Sequence, residues 1–177
     1  ATMLPIDHAS LFVFDPDHKC MPLLSYVPRL FLDSGAFSVW SSGKVIDIEA
    51  YADWCFEYKR RTQTEIQLAN LDVIPGAFGS DNNPTRKERE AAVQQGFENA
   101  DYLRSRGLSP VEVWHRFEPI EILDKILERR RPGELIAFGG LVGGAGTNVG
   151  VKMVHCDEGF ARIKAHYFVH DAFLAPG

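Results

Sequence analysis

The chain has 177 residues, 45% of them hydrophobic and 24% charged, and carries a formal net charge of -5 at neutral pH. That length suits one domain with a sizeable core, yet it falls short of the ~250 residues of a complete eight-stranded α/β barrel. The acidic balance excludes a global basic footprint for nucleic acid. It leaves two local basic clusters, Lys59-Arg60-Arg61 and Arg129-Arg130-Arg131, which also read as solvated helix ends.

No run approaches about 20 apolar residues, and Ala1-Thr2-Met3-Leu4-Pro5 is no basic-then-apolar leader. Cys20, Cys55 and Cys156 form neither a CxxC pair nor a zinc spacing. The expectation is a cytoplasmic protein with reduced thiols and no membrane association. His155, His166 and His170 with Cys156 and Asp157 fit no metal-binding motif, so no metal and no cofactor is expected.

In chain order, Leu11-Phe12-Val13-Phe14 is an early strand candidate, and Asp15-Pro16-Asp17 gives a turn. Pro22 and Pro28 argue against regular structure just beyond it. Residues 29–33 form a short apolar strand ending on an acid. Residues 46–60 repeat apolar positions at helical spacing, with Asp47 as N-cap. Residues 66–72 are a second strand closing on an acid, followed by a loop through Pro75-Gly76 and residues 79–84. A long helix runs from about Thr85 to Arg106 and is stopped by Gly107. Residues 111–115 read as a strand, 119–131 as a helix ended by Pro132-Gly133, and 134–138 as a strand. A helix over 151–162 and a last strand over 163–169 complete the pattern. From residue 29 onward strand and helix alternate, which predicts an α/β fold with a parallel sheet in a single domain over 1–177.

In such folds function gathers at the carboxyl ends of the strands. Those ends carry Asp33-Ser34-Gly35, then Asn70 and Asp72, then Trp114-His115-Arg116, then Gly139-Gly140-Leu141. The same residue types also end strands simply as turn formers. In Asp33-Ser34-Gly35-Ala36-Phe37, small residues let the backbone turn closely around a ligand and Phe37 offers an apolar wall for a flat ring. The bland alternative is an Asp capping the following turn. A carboxylate accepts two hydrogen bonds side by side, so Asp72 suits the two parallel donors of a guanine-like edge. His115 is a candidate base-edge or ribose contact, or a satisfied structural histidine. The run Gly139-Gly140-Leu141-Val142-Gly143-Gly144 lacks P-loop and GxGxxG spacing, though its amides suit phosphate or a base lying on the main chain.

Taken in order, these elements resemble the tRNA-guanine transglycosylase superfamily. Asp33-Ser34-Gly35-Ala36-Phe37-Ser38 is similar to that family's DSGGFQ signature, with Ala36 for the second glycine and Ser38 for the glutamine. Asp72, in NLDVIP, falls where the family has its purine-recognising aspartate. Phe138-Gly139-Gly140-Leu141-Val142-Gly143 resembles the family's GGLAVG loop. The stretch LFLDSGAFSVWSSGKVIDIEAYADWC looks closer still to compact relatives in phage and bacterial genomes. The resemblance spans about residues 29–145.

It implies a (β/α) TIM-type barrel, incomplete or truncated near the C-terminus. It also implies replacement of guanine by a 7-deazaguanine base, of the queuine, preQ0 or preQ1 type, in tRNA or DNA. Asp33 takes the proton-handling role. Asp72 takes the Watson–Crick edge, and Ser34, Gly35, Phe37, Ser38, His115, Gly139, Gly140 and Leu141 are the other expected base contacts. Ser38 in place of glutamine alters base selectivity.

The family's nucleophilic aspartate sits on a strand beyond the glycine loop, and neither Asp157 nor Asp171 lies in a matching motif. The family's zinc cysteines are absent, as in the compact relatives. The expectation is therefore a chain truncated before the last strand or divergent there, whose open sheet edges a homodimer or a further segment would cover. Two alternatives stand: a non-catalytic module that binds deazaguanine or nucleic acid, and an unrelated barrel hydrolase or lyase that uses the glycine loop for phosphate.

Overall fold

The computed structural model describes residues 9–26, 29–62, 66–76, 84–116, 118–140 and 149–174. In chain order they form β1 (Ala9–Val13), a 3-10 helix (Met21–Tyr26), β2 (Arg29–Asp33), α1 (Ala36–Ser41), α2 (Ile48–Arg61) and β3 (Ile66–Ala69). There follow α3 (Arg86–Ser105), β4 (Pro110–His115), α4 (Ile120–Arg129), β5 (Ile136–Gly139) and α5 (Val149–Leu174). The strands make a five-stranded sheet in the order β1-β2-β3-β4-β5, with every pairing parallel. The fold is α/β, as the alternation of elements predicts. The residues group into two compact units, Ala1–Val111 and Glu112–Gly177.

In the first unit the strands sort their side chains by parity. Phe12, Leu30, Leu32 and Leu68 pack in one buried cluster with Tyr51, Trp54, Cys55 and Tyr58 of α2 and Leu103 of α3. Residues of opposite parity on the edge strand, Leu11 and Val13, are 61% and 44% exposed. Both long helices of this unit therefore pack on one face of the sheet. The period of 3.6 puts residues 51, 54, 55 and 58 of α2 on one stripe. Asp47 starts that helix by accepting from the Glu49 and Ala50 amides at 2.7 and 3.0 Å, which satisfies two of its orphan donors. Thr85 and Glu88 form a reciprocal capping box at the start of α3. Past its end Gly107 takes a left-handed φ of 77°, and Lys59 donates to the Gly107 carbonyl at 2.7 Å.

In the second unit β4 and β5 pair with Trp114 opposite Phe138 and His115 opposite Gly139. Trp114 meets Phe138 edge-on at 5.8 Å, and both rings lie against Gly159 of α5. Leu123, Ile126 and Leu127 are the buried stripe of α4. Arg162 of α5 reaches Asp124 of α4 through two nitrogens at 2.5 Å.

Four expectations need correction. The segment 151–162 is not a helix followed by a strand over 163–169; one helix, α5, runs from Val149 to Leu174. The β-branched and aromatic residues of IKAHYFV suit a strand. However, no proline interrupts the chain between 149 and 174, and buried His155 and Gly159 already lie one helical turn apart. The strand over 66–72 stops at Ala69, so Asp72 stands three residues past its end rather than closing it. A 3-10 helix occupies Met21–Tyr26 despite Pro22, because the first turn needs no bond from that nitrogen; Pro28 lies outside the described residues. The Arg129 cluster is only partly a solvated helix end, with Arg131 exposed past the end of α4 and the other two held by partners. Arg129 stands 3.5 Å from the buried Glu112 carboxylate, and Arg130 donates to the Glu134 carbonyl at 2.6 Å.

A side chain at position 159 meets two aromatic rings at once. A Cβ there would lie 2.7 Å from Phe138 Cζ and 2.9 Å from Trp114 Cζ3. Gly159→Val is expected to destabilise the protein by about 1–3 kcal/mol or more through overpacking, read as a lower urea midpoint with an unchanged slope.

Candidate active site

Parallel strands deliver their carboxyl ends to one edge of the sheet, and in the first unit β2 and β3 are neighbours. Asp33 is the last residue of β2, half-buried, and its carbonyl accepts from the Phe14 amide at 2.9 Å. Ser34 behind it is buried. Gly35 takes a left-handed φ of 69° as the N-cap of α1, and a Cβ there would stand 3.1 Å from Val13 Cγ1. A glycine is thus required both by conformation and by the neighbouring strand. Ser34, not Asp33, is the side chain that reaches the following turn, its Oγ accepting weakly from the Ala36 amide at 3.4 Å. The alternative that Asp33 is a turn cap does not hold.

α1 was not expected from the sequence. Its six residues lift Phe37 and Ser38 outward, and the Phe37 ring is 58% exposed. Phe37 lies 5.9 Å from Trp40, so the two rings form an aromatic ledge. The Trp40 indole donates to the Gly76 carbonyl at 2.7 Å, which ties α1 to the loop that carries Asp72.

That loop is held by buried amides. Asn70, only 3% exposed, donates from Nδ2 to the Gly96 carbonyl at 2.9 Å and approaches Asp72 Oδ1 at 3.5 Å. Asn99 of α3, also buried, donates to the Leu71 carbonyl at 2.7 Å. The Asp72 amide closes a tight turn onto the Asn70 carbonyl at 3.1 Å. Together these bonds satisfy backbone acceptors that would otherwise be buried without partners.

Tyr51 bonds to the end of β3. Its hydroxyl donates to the Ala69 carbonyl at 2.7 Å from the fully buried face of α2. Burial first, then the Cys55 thiol beside it, then the charges of Asp33 and Asp72, push the Tyr51 phenol well above its ordinary range. Both carboxylates therefore act on the same hydroxyl, which stays a neutral donor. Burial also pushes the Cys55 thiol up to about 12, leaving it protonated and unreactive.

In the second unit, His115 ends β4 and is half-buried. Glu118 accepts from the His115 amide at 2.8 Å, and its other oxygen lies 3.3 Å from His115 Nδ1. A Cβ at Gly139 would come within 2.5 Å of His115 Cδ2. Gly140 follows with a φ of 71°. The paired glycines thus have a packing reason: the first makes room for the imidazole and the second turns the chain. Leu141 lies outside the described residues.

Within the first unit Asp33, Ser34 and Gly35 stand at the end of β2 and lead into α1, where Phe37 and Ser38 are exposed, and Asp72 stands in the loop after the neighbouring β3. Within the second the structure brings together His115, Gly139 and Gly140. Sequence reasoning missed Tyr51, Trp40, Asn99 and Glu118. Glu118 had a faint signal, an acid three residues after a strand-end histidine. Tyr51 and Asn99 had none beyond a polar group on an otherwise apolar helical stripe. The cluster Lys59-Arg60-Arg61 lies in the last turn of α2, where Arg60 and Arg61 both pair with Glu57. No family model, curated protein or solved structure matches the chain. Among the described residues, no helix is long and apolar enough to cross a membrane.

Two measurements follow from these bonds. Asn99→Leu leaves the Leu71 carbonyl without its buried donor and is expected to cost about 1–3 kcal/mol in chemical unfolding. Full stability in that variant would show that the loop is held by other means. The second concerns His155, whose ring lies 4.0 Å from Trp114. Burial holds its imidazole below the ordinary histidine value, assisted by Arg116 and His115 and opposed by the Trp114 backbone and Glu158. The unfolded chain takes up this proton first as pH falls. The stability that neutral His155 contributes is therefore complete above the ordinary value of 6.5 and is lost as pH drops below it. His155→Phe is expected to flatten the decline in unfolding free energy between neutral and mildly acid pH; parallel declines in both proteins would refute the assignment.

Proposed function

We propose that the protein is a base-exchange transglycosylase of the tRNA-guanine transglycosylase type, which replaces guanine by a 7-deazaguanine in tRNA or DNA. The observation that carries this reading is the placement of two carboxylates, Asp33 at the end of β2 and Asp72 three residues past the end of the adjacent parallel strand β3, with both charges acting on the buried Tyr51 hydroxyl. The resemblance gives Asp33 the proton on the base and Asp72 the Watson–Crick edge, where a carboxylate matches two parallel N–H donors. Phe37 and Trp40 supply a face on which a flat ring can stack, at the helix that Ser34 and Gly35 begin.

The barrel belongs to the same proposal. A parallel sheet in sequential strand order, with α2 and α3 of the first unit on one face, is what successive β/α units of a barrel produce. A doubly wound sheet reverses its order and covers both faces. The exposed Leu11 and Val13 then belong to the barrel interior, where further strands or a second copy of the chain would cover them.

The second reading is binding without turnover. Asp157 and Asp171 both lie within α5 and not at a strand end. Labelled guanine incubated with the protein and either tRNA or duplex DNA separates the readings. Incorporation that falls by about 10²–10⁴-fold in Asp33→Asn supports exchange. Calorimetric binding of preQ0 without incorporation supports the binding module, and Asp72→Asn is then expected to weaken it by about 10–100-fold. Neither incorporation nor binding would refute both.

A further inference from the structure

Helix α5 carries apolar residues on two opposite sides, and only one of them is covered. His155 and Gly159 are buried against Trp114 and Phe138, and Arg162 turns to Asp124 of α4. At about 100° per residue, the opposite side carries Met153, Asp157, Phe160 and Lys164, flanked by Val154 and Ala161. All six are exposed, and Met153, Val154 and Phe160 are each more than half exposed. A surface helix normally turns its apolar stripe to the core and its polar residues to water. Here four of the six outward positions are apolar. An exposed apolar stripe of this kind, set among charges, marks a contact with another molecule. Phe160 already leans on Phe138, with ring centroids 5.0 Å apart, so its ring is held in place before any partner arrives.

The two charges of the stripe say what covers it. Asp157 and Lys164 stand about two helical turns apart, or about 10.5 Å along the axis. Among the described residues neither has an ion-pair partner, whereas Arg162 beside them does. Phe160 and Ala161 lie between them, so the stripe reads acid, large ring, small side chain, base. That order is complementary to its own reverse. A second α5 laid antiparallel, with a two-fold axis passing between residues 160 and 161, brings each Asp157 opposite the partner's Lys164. It also sets each Phe160 opposite the partner's Ala161, so that a ring meets a methyl group and the helices approach closely. Positions i, i+3, i+4 and i+7 are those through which two crossing helices touch. A parallel pair would instead set Asp157 against Asp157 and Lys164 against Lys164, which repels. We propose that the outward face of α5 is a homodimer interface, in which two copies of the chain pair antiparallel through this stripe. The interface is isologous, because the same patch serves both copies. Burial of Phe160 and Met153 supplies the affinity, while the exposed ion pairs add little to it and select the orientation. The pairing lies wholly within the second unit and is independent of the reaction proposed above.

Sedimentation equilibrium of the full chain over a range of concentrations tests the pairing. The expected result is a monomer–dimer equilibrium whose Kd rises about 30-fold or more in Phe160→Asp. That ring also touches Phe138, so circular dichroism checks that the variant is folded. The charge variants change exposed positions and stand without it. Asp157→Lys and Lys164→Glu are each expected to raise Kd by about fivefold or more, since each sets like charges face to face. The two substitutions combined restore the opposite-charge pairs and are expected to bring Kd back toward its original value. A chain that is monomeric at every concentration overturns the proposal, as does a dimer indifferent to all three substitutions. A combined variant as weak as either single one overturns the antiparallel register. A monomer that sediments with phosphatidylglycerol vesicles assigns the face to a lipid surface and likewise overturns the proposal.

Discussion

The hydrogen bond from the Tyr51 hydroxyl to the Ala69 carbonyl joins two things that have no reason to meet in sequence. On one side is the aromatic stripe of α2, where Tyr51 stacks with Trp54 and meets Phe14 edge-on. On the other is the end of β3, from which the Asp72 loop departs. The bond is buried, so breaking it strands a carbonyl with no water to replace the donor. The position of the loop is thereby coupled to the packing of the core. The charges of both acids act on the same hydroxyl.

The amides around the loop extend this arrangement. Asn70 and Asn99 reach main-chain carbonyls on α3 and on the loop itself, and Trp40 reaches Gly76 from α1. A loop carrying a functional carboxylate is ordinarily among the least stable parts of a domain. Here three side-chain donors from three elements restrain it. That is the kind of support a site needs if its carboxylate is to meet a flat base at a fixed angle.

The glycines of the second unit lend themselves to a different account from the one their pattern suggests. Read alone, Gly139-Gly140 looks like a loop that bares its amides to a ligand. In the structure Gly139 is small because the His115 ring lies against it, and Gly140 turns the chain at a positive φ. Gly159, which has no place in any motif, is as tightly constrained, by Trp114 and Phe138.

The sequence by itself determined the α/β class, the places of β1, β2 and β4 and the three helices between residues 48 and 129. Those elements rest on local signals: apolar parity in Phe12, Leu30 and Leu32, helical spacing in Tyr51, Trp54 and Tyr58, and caps at Asp47, Thr85 and Gly107. It also located Asp33, because an acid before a small-residue turn is a local pattern. Only the tertiary structure decided that residues 163–169 continue a helix: they extend α5 beyond His155, Gly159 and Phe160, which pack against Trp114 and Phe138. Only the tertiary structure brought Tyr51, Asn99 and Glu118 to the site residues they serve. Tyr51 and Asn99 act across 18 and 28 residues of chain. Glu118 is near His115 in sequence, yet its effect depends on the turn that folds its carboxylate back onto the imidazole. Contacts of that kind leave no periodicity to read, because they are set by which buried backbone groups need a partner and by which side chain happens to stand within reach.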